Sequence, residues 1–483
     1  MPILLKPWRI VIAWLLIGLS ITCTAQNERF SRTQLEADFA IFEQLLLQAH
    51  GAPYRYTDSL ALQQTIQVAK SEIRDKMKPE AWSLLLGKVL HEIRCGHTSL
   101  GFPPEYSQAR MIEDNLFPFP LWFGEKIRIA VAGESLPQGT EILAVNGRSI
   151  QELAEQIRAV SFGDGFVENG IEADLNERFQ MKLLYQLGPQ KKFQIDYVLP
   201  DGDSLRDKFP AISPIAGMMR WQQEQEAGLA KFEKIDSLRT VIVKLKTFDT
   251  SDAGLSRNEL VKLLTFLNKL GKSRYYKHLI IDLRENTGGN MGIAAWMYSY
   301  LVDSPATDGI QQNVRLRQLP YRDLILHQQS GTRNNDVDSV LQHTFQPDSS
   351  GRLSRMLGFA DLPAPEEIFR GKVYLLISGK TFSAGAYFAA LAASDGRAIL
   401  LGEESGGAYE GCTAGMFATW ALPETGLRLQ LPLVRFNYLG LNALFPHGRG
   451  VMPDRVIRPN FDDIIHGHDP VRAAAIALIR SSQ

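Results

Sequence analysis

Apolar side chains recur at helical spacing across residues 32 to 95. Phe39, Phe42, Leu45, Leu46 and Leu47 form one set, and Trp82, Leu85, Leu86, Val89 and Leu90 another. That period predicts helices with one buried face. The pattern stops at Arg94-Cys95-Gly96-His97-Thr98, with Gly96 the expected terminator. A proline-containing stretch from Phe102 to Phe119 reads as a connector. From about Leu121 to Leu199 the pattern turns mostly to strands: Ile127 to Val131, Glu141 to Val145 before an Asn146-Gly147 turn, and Phe193 to Val198 before Asp201-Gly202. Ile150 to Ile157 reads as a short helix, and a polar helical stretch, Ser161 to Lys182, is inserted.

Beyond Ser237, strands (Val241 to Leu245, Leu279 to Leu283, Val373 to Ile377, Ala398 to Leu401) alternate with helices (Arg257 to Leu270, Gly292 to Leu301, Ala384 to Ala393). Alternation of that kind predicts an α/β layer with much parallel sheet. Polar, Pro-containing residues 303–365 interrupt it and read as an inserted cap. The expected organisation is a signal peptide over 1–25, a helical region over 26–110, a β-rich domain over 111–210 and an α/β core over 211–483.

The amino end changes where the chain is expected to work. Lys6 and Arg9 precede an apolar run, Ile10 to Leu19, followed by small and polar residues up to Ala25. This is the layout of a secretory signal peptide cleaved after Ala25. Lipidation at Cys23 is the alternative, but Ser20-Ile21-Thr22 lacks the residues expected before a lipidated cysteine. No later run reaches 18 unbroken apolar residues, so no stable membrane span is expected. Lys plus Arg number 52 and Asp plus Glu 53 among 483 residues, which leaves no basic excess for a nucleic-acid partner. Beyond Cys23 only Cys95 and Cys412 remain. There is no CxxC and no HExxH, so neither a metal site nor a cofactor is expected. The sequence does not bear on oligomeric state.

Two segments carry candidate chemistry. In Leu279-Ile-Ile-Asp-Leu-Arg-Glu-Asn-Thr-Gly-Gly289 a hydrophobic strand runs into adjacent glycines ahead of a helix. Bare backbone amides beside a helix N-terminus suit an oxyanion, although a tight strand-to-helix turn needs the same residues. In Val373-Tyr-Leu-Leu-Ile-Ser-Gly-Lys-Thr-Phe-Ser-Ala384 another strand enters a short turn, and Ser383 stands where a helix begins. A serine there is either a plain N-cap or a nucleophile pointing out of the turn. Thr381 replaces the first glycine of GxSxG, which disfavours an α/β-hydrolase elbow.

Taken together these segments resemble the S41 peptidases, a family that includes the tail-specific (C-terminal processing) and tricorn-like proteases. Asp282-Leu-Arg-Glu-Asn-Thr-Gly-Gly289 resembles the family's D-L-R-x-N-x-G-G, and Thr381-Phe-Ser-Ala384 its T-x-S-A turn. Gly396-Arg397-Ala398 with Leu401-Gly-Glu403 resembles R-A-x-x-x-G-E, and Gly450-Val-Met-Pro-Asp454 the closing G-V-x-P-D. The four motifs fall in order over roughly residues 230 to 460. The resemblance implies a crotonase/ClpP-like α/β peptidase core and a peptide or protein substrate. It implies Ser383 as nucleophile, with Gly288, Gly289 and Ala384 amides as the oxyanion hole. Glu141 to Arg148, with Gly139 and Thr140 before it, resembles part of a PDZ domain, without a clear carboxylate-binding loop.

The general base is less directly marked. Tail-specific members use a lysine where this chain has Ala408, so the Ser–Lys dyad is missing. Tricorn-like members use a histidine from an earlier segment, and Gly96-His97-Thr98 resembles that element. An imidazole can accept the serine proton at neutral pH. Where tricorn-like members have a glutamate before G-V-x-P-D, this chain has His447. The third group is therefore open among His447, Glu403 and Glu410. Lys380 precedes the nucleophile and is expected to point away. The expected activity is an exported serine endopeptidase. The alternative is an inactive peptide-binding envelope protein on the same scaffold.

Overall fold

The computed structural model describes residues 29–133, 135–217, 229–251, 254–303, 309–330, 336–358 and 365–482. The segment expected to be a signal peptide, and Cys23 within it, lie outside the described residues. Among the described residues, no helix is long and apolar enough to cross a membrane.

The helical pattern becomes α1 (Arg32–Ala49), α2 (Ser59–Ser71) and α3 (Pro79–Glu92). Ser31 and Gln34 close a capping box on α1, satisfying amides that have no intrahelical partner. Phe39, Phe42, Trp82, Leu86 and Leu90 are buried, as their spacing requires. Gly96 does not end α3. The helix stops at Glu92, and the chain turns at Arg94, whose φ is +52°. Gly96 is small for another reason: a Cβ there would stand 2.8 Å from the Phe382 ring. After β1 (Ser99–Gly101), the stretch read as a connector contains a helix, α4 (Pro104–Ile112). Proline suits the first helical turn, where its missing N–H is not needed.

Next come β2 (Leu121–Phe123), β3 (Ile127–Ile129), β4 (Glu141–Val145), β5 (Arg148–Ser149), α5 (Ile150–Arg158), α6 (Glu168–Leu187), β6 (Lys192–Val198) and β7 (Ser204–Pro210). The strands form an antiparallel sheet in the order β2-β3-β4-β6-β7, with β5 on β4. Alternate residues of β6 (Phe193, Ile195, Tyr197) pack with Ile142, Leu153 and Phe179 in a core of their own.

The rest of the chain runs through β8 (Ala230–Ile235), β9 (Thr240–Leu245), α7 (Arg257–Lys272), β10 (His278–Asp282), α8 (Met291–Ser299), β11 (Gly309–Val314), β12 (Ile325–Gln329), α9 (Val337–Thr344), β13 (Gln346–Pro347) and β14 (Leu353–Leu357). It continues with β15 (Lys372–Ile377), α10 (Ala384–Ser394), β16 (Ala398–Gly402), β17 (Thr413–Ala421), β18 (Arg428–Leu439), β19 (Arg455–Val456), α11 (Phe461–His466) and α12 (Pro470–Arg480). One sheet, β19-β16-β15-β10-β9-β8, is parallel except for its edge strand β8. Every residue of β10 is buried, as a parallel strand covered on both faces demands.

A second, antiparallel sheet has the order β12-β17-β18-β11-β14-β13, with β1 added to β18. The stretch read as a cap, 303–365, supplies β11 to β14 of that sheet, so its described residues form wall rather than appendage. Helices α1 to α3 share the main core with both of these sheets. β10 and β15 are neighbours in the parallel sheet, so the turns leaving their carboxyl ends lie side by side. Those turns are Leu283 to Gly289 and Ser378 to Ser383.

Candidate active site

The two turns are stitched together by the motif residues. Thr381 Oγ1 donates to the Leu283 carbonyl (2.8 Å) and accepts from the Ser378 N–H (3.0 Å). Asn286, fully buried, donates through Nδ2 to the Leu245 carbonyl (3.1 Å), and its own carbonyl accepts from the Phe382 N–H (2.9 Å). Arg284 makes paired contacts to Asp282 and to Asp469 at the start of α12, which anchors the first turn. These polar residues set geometry rather than perform chemistry.

Ser383 is held at φ +52° and ψ −120°, a region costly for a residue with a Cβ, on the order of 1–3 kcal/mol. Its side chain makes no cap hydrogen bond to α10, so the simple N-cap role is not what the structure shows. Strain is tolerated because the surroundings are pared to glycine. A Cβ on Gly288, itself at φ +108°, would lie 2.5 Å from Ser383 Cβ and 3.1 Å from the Ala384 nitrogen. A Cβ on Gly407 would meet the Ser383 nitrogen at 3.1 Å. The Ala384 amide opens α10, where no intrahelical acceptor exists and the helix dipole is positive. The Gly288 N–H donates to Asn286 Oδ1 (3.0 Å).

His97, between α3 and β1, meets this turn at Phe382. Its ring packs at a tilt against that of Phe382, the residue before Ser383, with centroids 4.6 Å apart. On its far side, Nδ1 lies 3.9 Å from Oδ1 of Asp164, whose side chain is completely buried. Asp164 sits in the loop between α5 and α6 and accepts from the Gly96 N–H (2.9 Å), with the Ala408 backbone amide close by. His97 Nδ1 and Asp164 Oδ2 are buried without a hydrogen-bond partner, at about 1–3 kcal/mol each. Burial pushes the imidazole below its ordinary value, and the Asp164 charge pulls it partly back up. Burial pushes the Asp164 carboxyl upward, opposed by His97, the Gly96 amide and Arg55. Both groups are thus driven toward their neutral forms.

The other candidates go elsewhere. His447 is exposed, with Nδ1 2.6 Å from Glu410 Oε1 and Nε2 donating to the Arg55 carbonyl (3.0 Å). Both ring nitrogens are thus engaged by Glu410 and Arg55. Glu410 also receives the Gly448 N–H. Glu403 pairs with Arg458 (3.4 Å), and burial raises its carboxyl. Lys380 pairs with Glu177 (3.1 Å), away from the serine. Ala408, at the place of the missing lysine, is buried. Asp164 went unnoticed in the sequence. The available signal was its setting, Gly163-Asp164-Gly165, in which Gly165 at φ +59° lets the loop touch Gly448.

A groove of about 650 Å³ runs past these turns, lined by Thr98, Leu100, Phe162, Thr287, Phe382 and Gly406 among others. Among the described residues, one group could ligate a metal: donor atoms of Cys95, His97 and Asp164 lie within 4.8 Å of one another. Cys95 and Cys412 are both free and buried.

A strained serine beside a helix N-terminus, glycine turns and a buried imidazole, on an α/β frame, together define the class: a serine-type peptidase. Residues 239–457 match the model of peptidase family S41. The fold matches the structure of mature CPAF complexed with lactacystin, at 15% identity and a TM-score of 0.64, over 93% of this chain and 98% of that one. Mature CPAF matches with 15% identity, a TM-score of 0.60, and 93% and 96% coverage. No curated protein sequence matches the chain.

Proposed function

We propose that the chain is an exported endopeptidase that forms an acyl-enzyme on Ser383, with His97 as general base and Asp164 as the group that orients it. The observation that carries this reading is Ser383 itself: strained, not used as a cap, and pressed against Gly288 and the Ala384 amide. Ser383 Oγ attacks the substrate carbonyl while its proton passes to His97. The imidazolium then protonates the departing amine, and water repeats the sequence on the ester. Asp164, 3.9 Å from Nδ1, opposes the charge that appears on the ring. The oxyanion is received by the Ala384 N–H, with a second donor from the Gly288–Gly289 turn. Gly288 serves as that donor once its N–H leaves Asn286 Oδ1.

The residues of β1 line the groove and, among the described residues, pair with β18 on one side only, so an extended peptide can add to the other edge. Export rests on the signal-peptide pattern of residues 1–25, which places the enzyme in the periplasm or outside the cell. The sheet of β2 to β7 is read as a PDZ-like unit. Hydrolysis of an unfolded protein substrate tests the reading. Ser383→Ala is expected to leave no turnover with an unchanged melting temperature; turnover at the original rate would overturn it.

A further inference from the structure

Cys95 has no part in peptide hydrolysis, yet its sulfur sits with the two groups that prepare the base. We infer that Cys95, His97 and Asp164 form an inhibitory site for a thiophilic divalent cation such as zinc, which shuts the enzyme off by occupying the histidine. The inference rests on the proposed role of His97 as base.

Two observations point to it independently. Donor atoms of the three residues lie within 4.8 Å of one another. Around a tetrahedral zinc such atoms stand about 3.3–3.6 Å apart, so a small inward movement closes the site. Separately, Asp164 Oδ2 and His97 Nδ1 are buried and lack partners, and the Asp164 side chain is fully enclosed. The set mixes a soft sulfur, an imidazole and a carboxylate, which zinc accepts and magnesium or calcium does not favour.

Charge balance also fits. A buried thiol with no cation beside it is protonated at neutral pH. On binding, the cation displaces that proton to solvent, and bonds form from zinc to Sγ, a ring nitrogen and a carboxylate oxygen. One thiolate and one carboxylate then cancel the double positive charge, leaving a neutral buried unit. A cation on Nδ1 takes the lone pair there, so the hydrogen of the neutral ring stays on Nε2. His97 then no longer accepts the Ser383 proton, which costs about 10²–10⁴-fold in rate.

The test separates binding from catalysis. Zinc is titrated into full-length Ser383→Ala by calorimetry in buffers of differing protonation enthalpy, and peptidase activity of the unmodified chain is followed with zinc or chelator. One zinc per chain, release of about one proton, and inhibition of at least about tenfold that chelator reverses are expected. Cys95→Ser should keep activity in chelator while losing about 10²-fold or more in zinc affinity, with Cys95→Ala as a second variant. No zinc binding to Ser383→Ala, or unchanged binding to a folded Cys95 variant, would overturn the site. Intact binding in a chain that never hydrolyses peptide would instead sink the peptidase reading and leave the metal site standing.

Discussion

The nucleophile side and the base side of the site are built in opposite ways. Ser383, Gly288 and Ala384 sit on turns after neighbouring parallel strands, locked by Thr381 and Asn286 within one sheet. His97 and Asp164 come from the end of the N-terminal helical region and from the α5–α6 loop, 68 positions beyond Gly96. They meet the first half at Phe382, against which His97 and Gly96 pack. The nucleophile half is therefore rigid and strained, whereas the base half is assembled, incompletely hydrogen-bonded and open to adjustment.

That contrast orders the expected effects of substitution. Ser383→Ala removes the reacting atom and all acyl transfer. Gly288→Ala should come next, because its Cβ would collide with Ser383 and adopt φ +108°; activity falls below detection, and circular dichroism shows whether the fold remains. His97→Ala should cost about 10²–10⁴-fold in kcat. Asp164→Asn should cost about 10²-fold, less than the about 10⁴-fold of a fully hydrogen-bonded triad, since the existing contact is 3.9 Å. It should also move the acid limb of the pH–rate profile. Activity needs neutral His97, whose burial already places that limb below the ordinary 6.5. Asp164 raises the imidazole value, so its removal shifts the limb further down; an upward shift would show that Asp164 does not face the base. His447→Ala should change kcat by no more than about twofold, as for an ordinary exposed position.

A smaller effect concerns stability alone. His50 is enclosed beside the N-terminal helices, and burial holds it near 3. The unfolded chain takes up the proton near 6.5 and the folded chain does not, so stability is lost as pH falls from 6.5 toward 3. The slope is at most about 1.4 kcal/mol per pH unit. Urea unfolding of His50→Gln between pH 7 and 4.5 should show a flatter dependence than the unmodified chain; an equal slope would locate acid sensitivity elsewhere.

The same contrast explains what could be read without coordinates. The nucleophile half is local: a buried strand, a tight turn and small residues, all consecutive in Val373 to Ala386 and Leu279 to Gly289. The alternating strands and helices around it follow from periodicity, and the structure places them within a few residues. Asp164 was not legible because its role depends on a loop folding back onto Gly96 and Ala408, which no spacing encodes. The wall strands of 303–365 were missed for a related reason, since they are defined by pairing with β17 and β18 about a hundred residues later. His447 drew attention by its motif position, but its nitrogens are spent on Glu410 and Arg55.

The most direct test of the account is the rate at which a fluorophosphonate labels Ser383, measured from pH 5 to 8 in the unmodified chain, His97→Ala and His447→Ala. Labelling should titrate with a single group below 6.5, survive in His447→Ala and collapse in His97→Ala. Labelling that persists in His97→Ala and vanishes in His447→Ala would contradict it.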